Sequence, residues 1–94
     1  MARNHDVVES FVKKNCESSK GFSMVFRDNR LFSYDTCIAE WMKDGTLLVN
    51  RTKYSVTTSK YQNHLMYLLS RHTGKVVVVE NVPRGAYRLA KYVK

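Results

Sequence analysis

Two turn signals between residues 22 and 56 constrain the fold of this chain more than anything else in it. Phe22, Met24 and Phe26 alternate with Ser23, Val25 and Arg27, the period of a half-buried strand. Asp28-Asn29 follows, a pair that tolerates positive φ and closes tight hairpins. Arg30 to Tyr34 is then the returning strand. "DTCIAEWM" continues as a further extended piece after a bend at Asp35-Thr36. Lys43-Asp44-Gly45 makes a second hairpin loop, with Gly45 free to take the left-handed position. "TLLVNRTKYSV" supplies the next strand. Residues 22–56 therefore predict an antiparallel meander of three or four strands.

The flanks read differently. In "HDVVESFVKKN", Val7 or Val8, Phe11 and Val12 recur at helical spacing. Asp6 suits the positive end of a helix and Lys13 and Lys14 the negative end, so a helix is expected at about 6–15. A second helix begins near Lys60, with Thr57, Thr58 or Ser59 accepting a backbone N–H at its start. At 100° per residue, Tyr61, Leu65, Leu68, Leu69 and His72 share one side. Lys60, Asn63, His64, Tyr67, Ser70 and Arg71 fall on the other. Thr73-Gly74 ends the helix.

"KVVVVE" at 75–80 lacks alternation and reads as a central strand buried on both faces. "RGAYRLAKYVK" fits two periods. As a helix, the favoured form, it sets Arg84, Arg88 and Lys91 beside Tyr87, with Ala86, Leu89, Ala90 and Val93 on another face. As a final strand, Tyr87, Leu89 and Lys91 alternate with Arg88, Ala90 and Tyr92. The class is α+β: a small antiparallel β-sheet of three to five strands with helices packed on one face. At 94 residues the chain is one domain, residues 1–94.

Charge is distributed unevenly. Residues 1–47 hold seven Lys/Arg and seven Asp/Glu, whereas residues 48–94 hold nine Lys/Arg against Glu80, so the net +8 belongs to the second half. Clustered like charge repels itself, and this asymmetry points to a surface that faces a polyanion. A basic surface that only aids solubility is the competing explanation. Cys16 and Cys37 match no metal spacing and are expected as reduced thiols in a cytoplasmic protein. The N-terminus carries no apolar h-region, and the Val76–Val79 run is far too short to span a bilayer, so no membrane association is expected.

Catalytic chemistry is not legible. His5, His64 and His72 are scattered, with His64 and His72 on different sides of the predicted helix. The glycines at 21, 45, 74 and 85 are isolated and make no phosphate loop. The reading is a non-enzyme without metal or cofactor.

What remains is the interleaving of basic and aromatic residues in the second half. Cations displace counterions from phosphates, and rings stack on unpaired bases. The candidate nucleic-acid contacts are Lys60, Asn63, His64, Tyr67 and Arg71 on the helix, and Lys75, Arg84, Arg88 and Lys91 beyond it. Residue by residue, a solvated face is the competing reading.

Two segments carry a family resemblance. Tyr34, Thr36, Ile38 and Ala39, then Ser55, Thr57, Thr58, Ser59, Lys60, Gln62 and Asn63, resemble a family of small uncharacterised proteins from phages and other mobile elements. The likeness covers roughly residues 31–69. Position 37 is Cys where many members have Pro, which makes the bend before Ile38 less sharp here. The resemblance implies a viral or mobile-element origin and a place in the host-cell cytoplasm, and assigns no activity. The function expected is DNA or RNA binding, mainly by electrostatics. The alternative is a protein-binding effector that inhibits or modulates a host enzyme or defence complex. A homodimer paired through an exposed sheet edge is compatible with either.

Overall fold

The computed structural model describes residues 3–13, 19–70 and 74–93. Helix α1 (Asn4–Lys13) leads into β1 (Ser19–Lys20), β2 (Met24–Arg27), β3 (Arg30–Ser33), β4 (Thr36–Trp41) and β5 (Leu47–Asn50). Helix α2 (Val56–Leu69) and β6 (Val76–Val79) follow, and a 3-10 turn covers Ala90–Tyr92. The sheet order is β1-β2-β3-β4-β5-β6.

Local chemistry sets the meander. Asp28 (φ 51°) and Asn29 (φ 65°) close the β2–β3 hairpin in the left-handed conformation that their short polar side chains tolerate. Gly45 (φ 90°) closes the β4–β5 hairpin. There the Thr46 backbone N–H donates to Asp44 Oδ1 at 2.9 Å, and this bond holds the Asp44 carboxyl below its ordinary pKa. Between β3 and β4 the register jumps from Leu31↔Ala39 to Phe32↔Cys37, so the pairing skips Ile38 as a bulge. Ile38 and Ala39 thereby both enter the same core.

The α+β class holds, with three differences from the expected sheet. Six strands are present, β1 contributing two residues. The β5–β6 pair is parallel, because α2 crosses over between them and returns the chain in the same direction. And β6 lies at an edge, not at the centre. Its valines do not alternate with polar residues because both faces of the sheet are covered. Val76 packs with the helix-side core, while Val79 belongs to the other core, with Val77 packed against it. Val78 is 49 % exposed, as an edge position allows.

Both helices cover one face of the sheet. Val7, Val8 and Phe11 of α1 and Tyr61, Leu65 and Leu69 of α2 pack on Met24, Phe26, Leu31, Ala39, Trp41, Leu47 and Val49. Trp41 Nε1 donates to the Phe11 carbonyl at 3.0 Å, so the largest ring in this core leaves no polar atom unmet. Helix α1 starts two residues before the expected position. The Asn4 side chain explains this: its Oδ1 accepts from the Ser23 and Met24 backbone N–H groups, and its Nδ2 donates to Ser23 Oγ and Tyr61 Oη. Helix α2 is capped by Ser55, whose Oγ accepts from the Thr58 N–H at 3.2 Å, two residues before the earliest cap expected. Buried Gln62 donates through Nε2 to the carbonyls of Asn50 and Thr52, tying the helix to the strand it leaves.

Residues 81–93 cover the opposite face, as neither of the regular forms expected. They form a strap that finds its backbone partners on β4 and on the segment just after β5. Val82 N–H donates to Thr52 Oγ1, Gly85 N–H to Thr36 Oγ1 and Leu89 N–H to Glu40 Oε1, while Cys37 N–H donates to the Ala86 carbonyl. A chain whose donors are met this way gains nothing by coiling into a helix. Gly85 (φ 82°) also bends it against helical continuation. Val82 and Leu89 bury themselves on Phe32, Cys37, Leu48 and Val79.

Candidate nucleic-acid interface

The register of the sheet lays a row of side chains across the strap face. Arg27 pairs with Arg30, Arg30 with Glu40, Glu40 with Leu48, and Leu48 with Val77. The strap crosses beside this row and leaves the hairpin end open. The result is a groove of about 720 Å³. The two hairpin turns bound it on one side, and Arg88, Ala90 and Val93 of the strap on the other. Its floor is Leu48 and Val77 with Met42 beside them, and Arg30, Lys43, Lys75 and Arg88 stand around it.

One carboxylate organises the floor. Glu40 Oε1 accepts the Leu89 N–H at 2.9 Å, and Glu40 Oε2 lies 3.4 Å from Arg30 Nε. Both side chains of the pair are largely buried, at 9 % and 13 % exposure. The Arg30 guanidinium also sits 4.8 Å from the centre of the Tyr87 ring, which in turn tilts against Phe32 at 5.4 Å. Arg27 lies 5.5 Å from the Phe32 ring. Arg30 is thus held between the Glu40 carboxylate and the Tyr87 ring, with most of its side chain out of water. Beneath, burial and then the charge of Glu40 push the Cys37 thiol up to about 12, which leaves it a packed, unreactive side chain.

The structure gathers part of the predicted site. Lys75 and Arg88 line the groove, and Arg88 and Lys91 share a neighbouring hollow with Tyr87 and Tyr92. Arg84 lines a different hollow of about 340 Å³, beside Tyr34, Asp35 and the N-terminus of α2. Lys60, Asn63 and Tyr67 are exposed on the outer face of α2, in the layer across the sheet from the strap. His64 does not face solvent as the helical wheel predicts. Its ring meets His5 of α1 at 4.8 Å, and its Nε2 is 4.0 Å from Glu9. Burial, then the His5 charge, lowers its pKa, while Glu9 opposes the shift. Arg71, His72 and Cys16 lie outside the described residues.

Sequence reasoning missed Arg30, Glu40 and Lys43. All three come from the half of the chain with no net charge, so the charge split passed over them. Strand pairing, not sequence proximity, brings them beside Lys75 and Arg88.

The two segments of the family resemblance also meet. Tyr34 and Thr36 face Ser55, Thr57 and Thr58 across the smaller hollow. Their hydroxyls serve the fold: Ser33 Oγ and Thr58 Oγ1 are 2.9 Å apart in a buried pair, and Thr36 Oγ1 accepts the strap's Gly85 N–H. Among the described residues, no group of three His, Cys, Asp or Glu side chains could hold a metal ion, and no helix is long and apolar enough to cross a membrane.

A family model matches residues 4–80, from the first residue of α1 to the residue after β6. The chain belongs to DUF8033, a family of unknown function. The match takes in the whole sheet and the groove floor, while the strap lies beyond it. No curated protein and no solved structure matches the chain.

Proposed function

We propose that this DUF8033 member is a small, non-enzymatic nucleic-acid-binding protein that binds mainly by electrostatics. The observation that supports this reading is the convergence of Lys75 and Arg88 with Arg30 and Lys43 around one open groove, with Lys91, Tyr87 and Tyr92 next to it. Clustered cations gain from polyanion binding by releasing condensed counterions, and adjacent rings offer stacking surfaces. The resemblance over residues 31–69 favours an origin in a phage or other mobile element, and with it a site of action in the host cytoplasm. A fluorescence-anisotropy titration with labelled DNA and RNA at two salt concentrations tests the reading. Binding should weaken steeply with salt, by a log–log slope of roughly 0.7–0.9 per phosphate contacted. No binding to either polymer at low salt overturns it.

A second reading has its own observation. Phe22, Tyr34 and Val56 are 84 %, 63 % and 89 % exposed. They lie toward one end of the sheet: the Tyr34 N–H bonds the Ser23 carbonyl, and Tyr34 shares a hollow with Ser55 and Thr57 on either side of Val56. Exposed apolar clusters mark protein interfaces. On this reading the protein is an effector that modulates a host enzyme or defence complex. A partner retained from nuclease-treated lysate by the wild type and lost with Phe22→Ser/Tyr34→Ser supports it.

A further inference from the structure

We propose that the groove selects single-stranded over double-stranded nucleic acid, taking unpaired bases onto its apolar floor while the surrounding cations hold the phosphates. This rests on the nucleic-acid reading above and adds the class of ligand.

The shape of the site is the first argument. A duplex offers phosphates on a convex cylinder and keeps its base faces stacked inside. Against this surface it reaches the raised cations and leaves the concave floor empty. An unpaired strand has free base faces and can lower them into a groove of about 720 Å³, a volume within the ordinary range for sites that enclose organic ligands.

The chemistry of the floor is the second argument. Val77 is the open floor residue, backed by its buried neighbour Leu48 on the adjacent strand, and Met42, Ala90 and Val93 extend the apolar surface around it. Such a floor has nothing to offer a phosphate and suits the flat face of a base. Three cations stand around it on separate segments, Lys43 on the β4–β5 turn, Lys75 before β6 and Arg88 on the strap, while Arg30 on β3 lies deeper and is paired with Glu40. Of the three acids in the same lining, Glu40 and Arg30 offset each other, and Asp44 and Asp28 keep their charge at the hairpin turns. Glu40 is held by the Leu89 N–H and Arg30, and Asp44 by the Thr46 N–H of its own turn. Asp28 stands at the far hairpin.

The third argument is continuity. Arg88 belongs to both the groove and the adjoining hollow, where Lys91 lies with Tyr87 and Tyr92. Tyr87 is 44 % exposed, and its ring is held in place by the tilted contact with Phe32 and by the Arg30 guanidinium over it, so the part left exposed is a fixed aromatic edge beside the groove. A cationic track with apolar and aromatic platforms along it is the arrangement that sequence-tolerant single-strand binders use.

The test is anisotropy with the full chain at low salt, using labelled single-stranded DNA, single-stranded RNA and a DNA duplex of one mixed sequence. The wild type is compared with the uncharged floor variant Val77→Thr/Met42→Gln, which preserves side-chain shape and charge, and with Tyr87→Ser. Folding of each variant is checked by circular dichroism. The expected result is single-strand affinity about tenfold or more above duplex affinity. The floor variant and Tyr87→Ser should each lower it several-fold and leave duplex binding unchanged. Duplex binding as tight as single-strand binding overturns this inference and leaves nucleic-acid binding standing. Failure of every probe to bind overturns both. A single-strand preference that neither variant alters overturns the groove as its source.

Discussion

The two faces of this sheet are covered by different means. On one, two helices bury a continuous set of side chains from Val7 to Leu69, with hydrogen bonds inside that layer from Trp41 to Phe11 and from Asn4 to Tyr61. On the other, a single irregular strap seals part of the surface with Val82 and Leu89 and leaves a groove among cations beside it. A helix layer supplies its own backbone hydrogen bonds and closes a face evenly. A strap must borrow partners from its neighbours, so it closes only where they are offered, by Thr36 and Glu40 of β4 and by Thr52 just after β5. The difference shows how one small domain obtains a stable core and an open binding surface from the same strands.

The comparison can be broken in stages. The largest effect is expected on the helix side: Leu65→Ala, at a fully buried position, should cost about 2–5 kcal/mol in urea unfolding and leave binding by the folded fraction unchanged. On the strap side, Glu40→Gln removes the charge that faces Arg30 while keeping an acceptor for the Leu89 N–H. A loss of about 2–3 kcal/mol is expected, with no such loss if the pair is only a surface contact. Leu89→Ala should cost about 2 kcal/mol, near the low end for such a truncation, because an irregular strap can settle into the space. Equal costs at Leu65 and Leu89 would mean that the two faces are equally rigid.

Between pH 7.5 and 5.5, above the range where carboxylates titrate, acid should act through the helix side. The His64 pKa is lowered by burial and by His5, with Glu9 opposing, so the unfolded chain takes up the proton first. Stability is then full above the ordinary histidine range near pH 6.5 and declines as pH falls through it, levelling below the folded-state pKa. His64→Gln should flatten the decline in thermal melts between pH 7.5 and 5.5. Lys75→Glu sets the lower limit: at an exposed position its effect on stability should stay within about 0.5 kcal/mol, while nucleic-acid affinity falls.

Sequence pattern and structure agree where the controlling interactions are local. Asp28-Asn29 and Gly45 fix their turns by their own backbone preferences, and the alternation of Met24 and Phe26 with Val25 and Arg27 sets which side faces the helices. Agreement ends where distant partners decide. The unbroken valines of β6 have the same pattern whether a strand is central or at an edge with both faces covered, and only the crossover of α2 settles which. The strap was unreadable because the groups that hold it, Thr36 and Glu40, lie some fifty residues away. The candidate site was half legible: Lys75, Arg88 and Lys91 stood out by charge, whereas Arg30, Glu40 and Lys43 joined them only through strand register.

The order of the strap in the chain has a consequence in time. Everything it covers, Phe32, Cys37, Leu48 and Val79, is synthesised before it. A nascent chain that has completed β6 can already assemble the helix-side layer, since α1, α2 and all six strands are then present. Its other face stays bare until residues 82–89 emerge. During that interval the growing molecule displays an apolar sheet face that the finished one hides, and partial occupancy by a chaperone or by a neighbouring nascent chain is the hazard its synthesis must outrun.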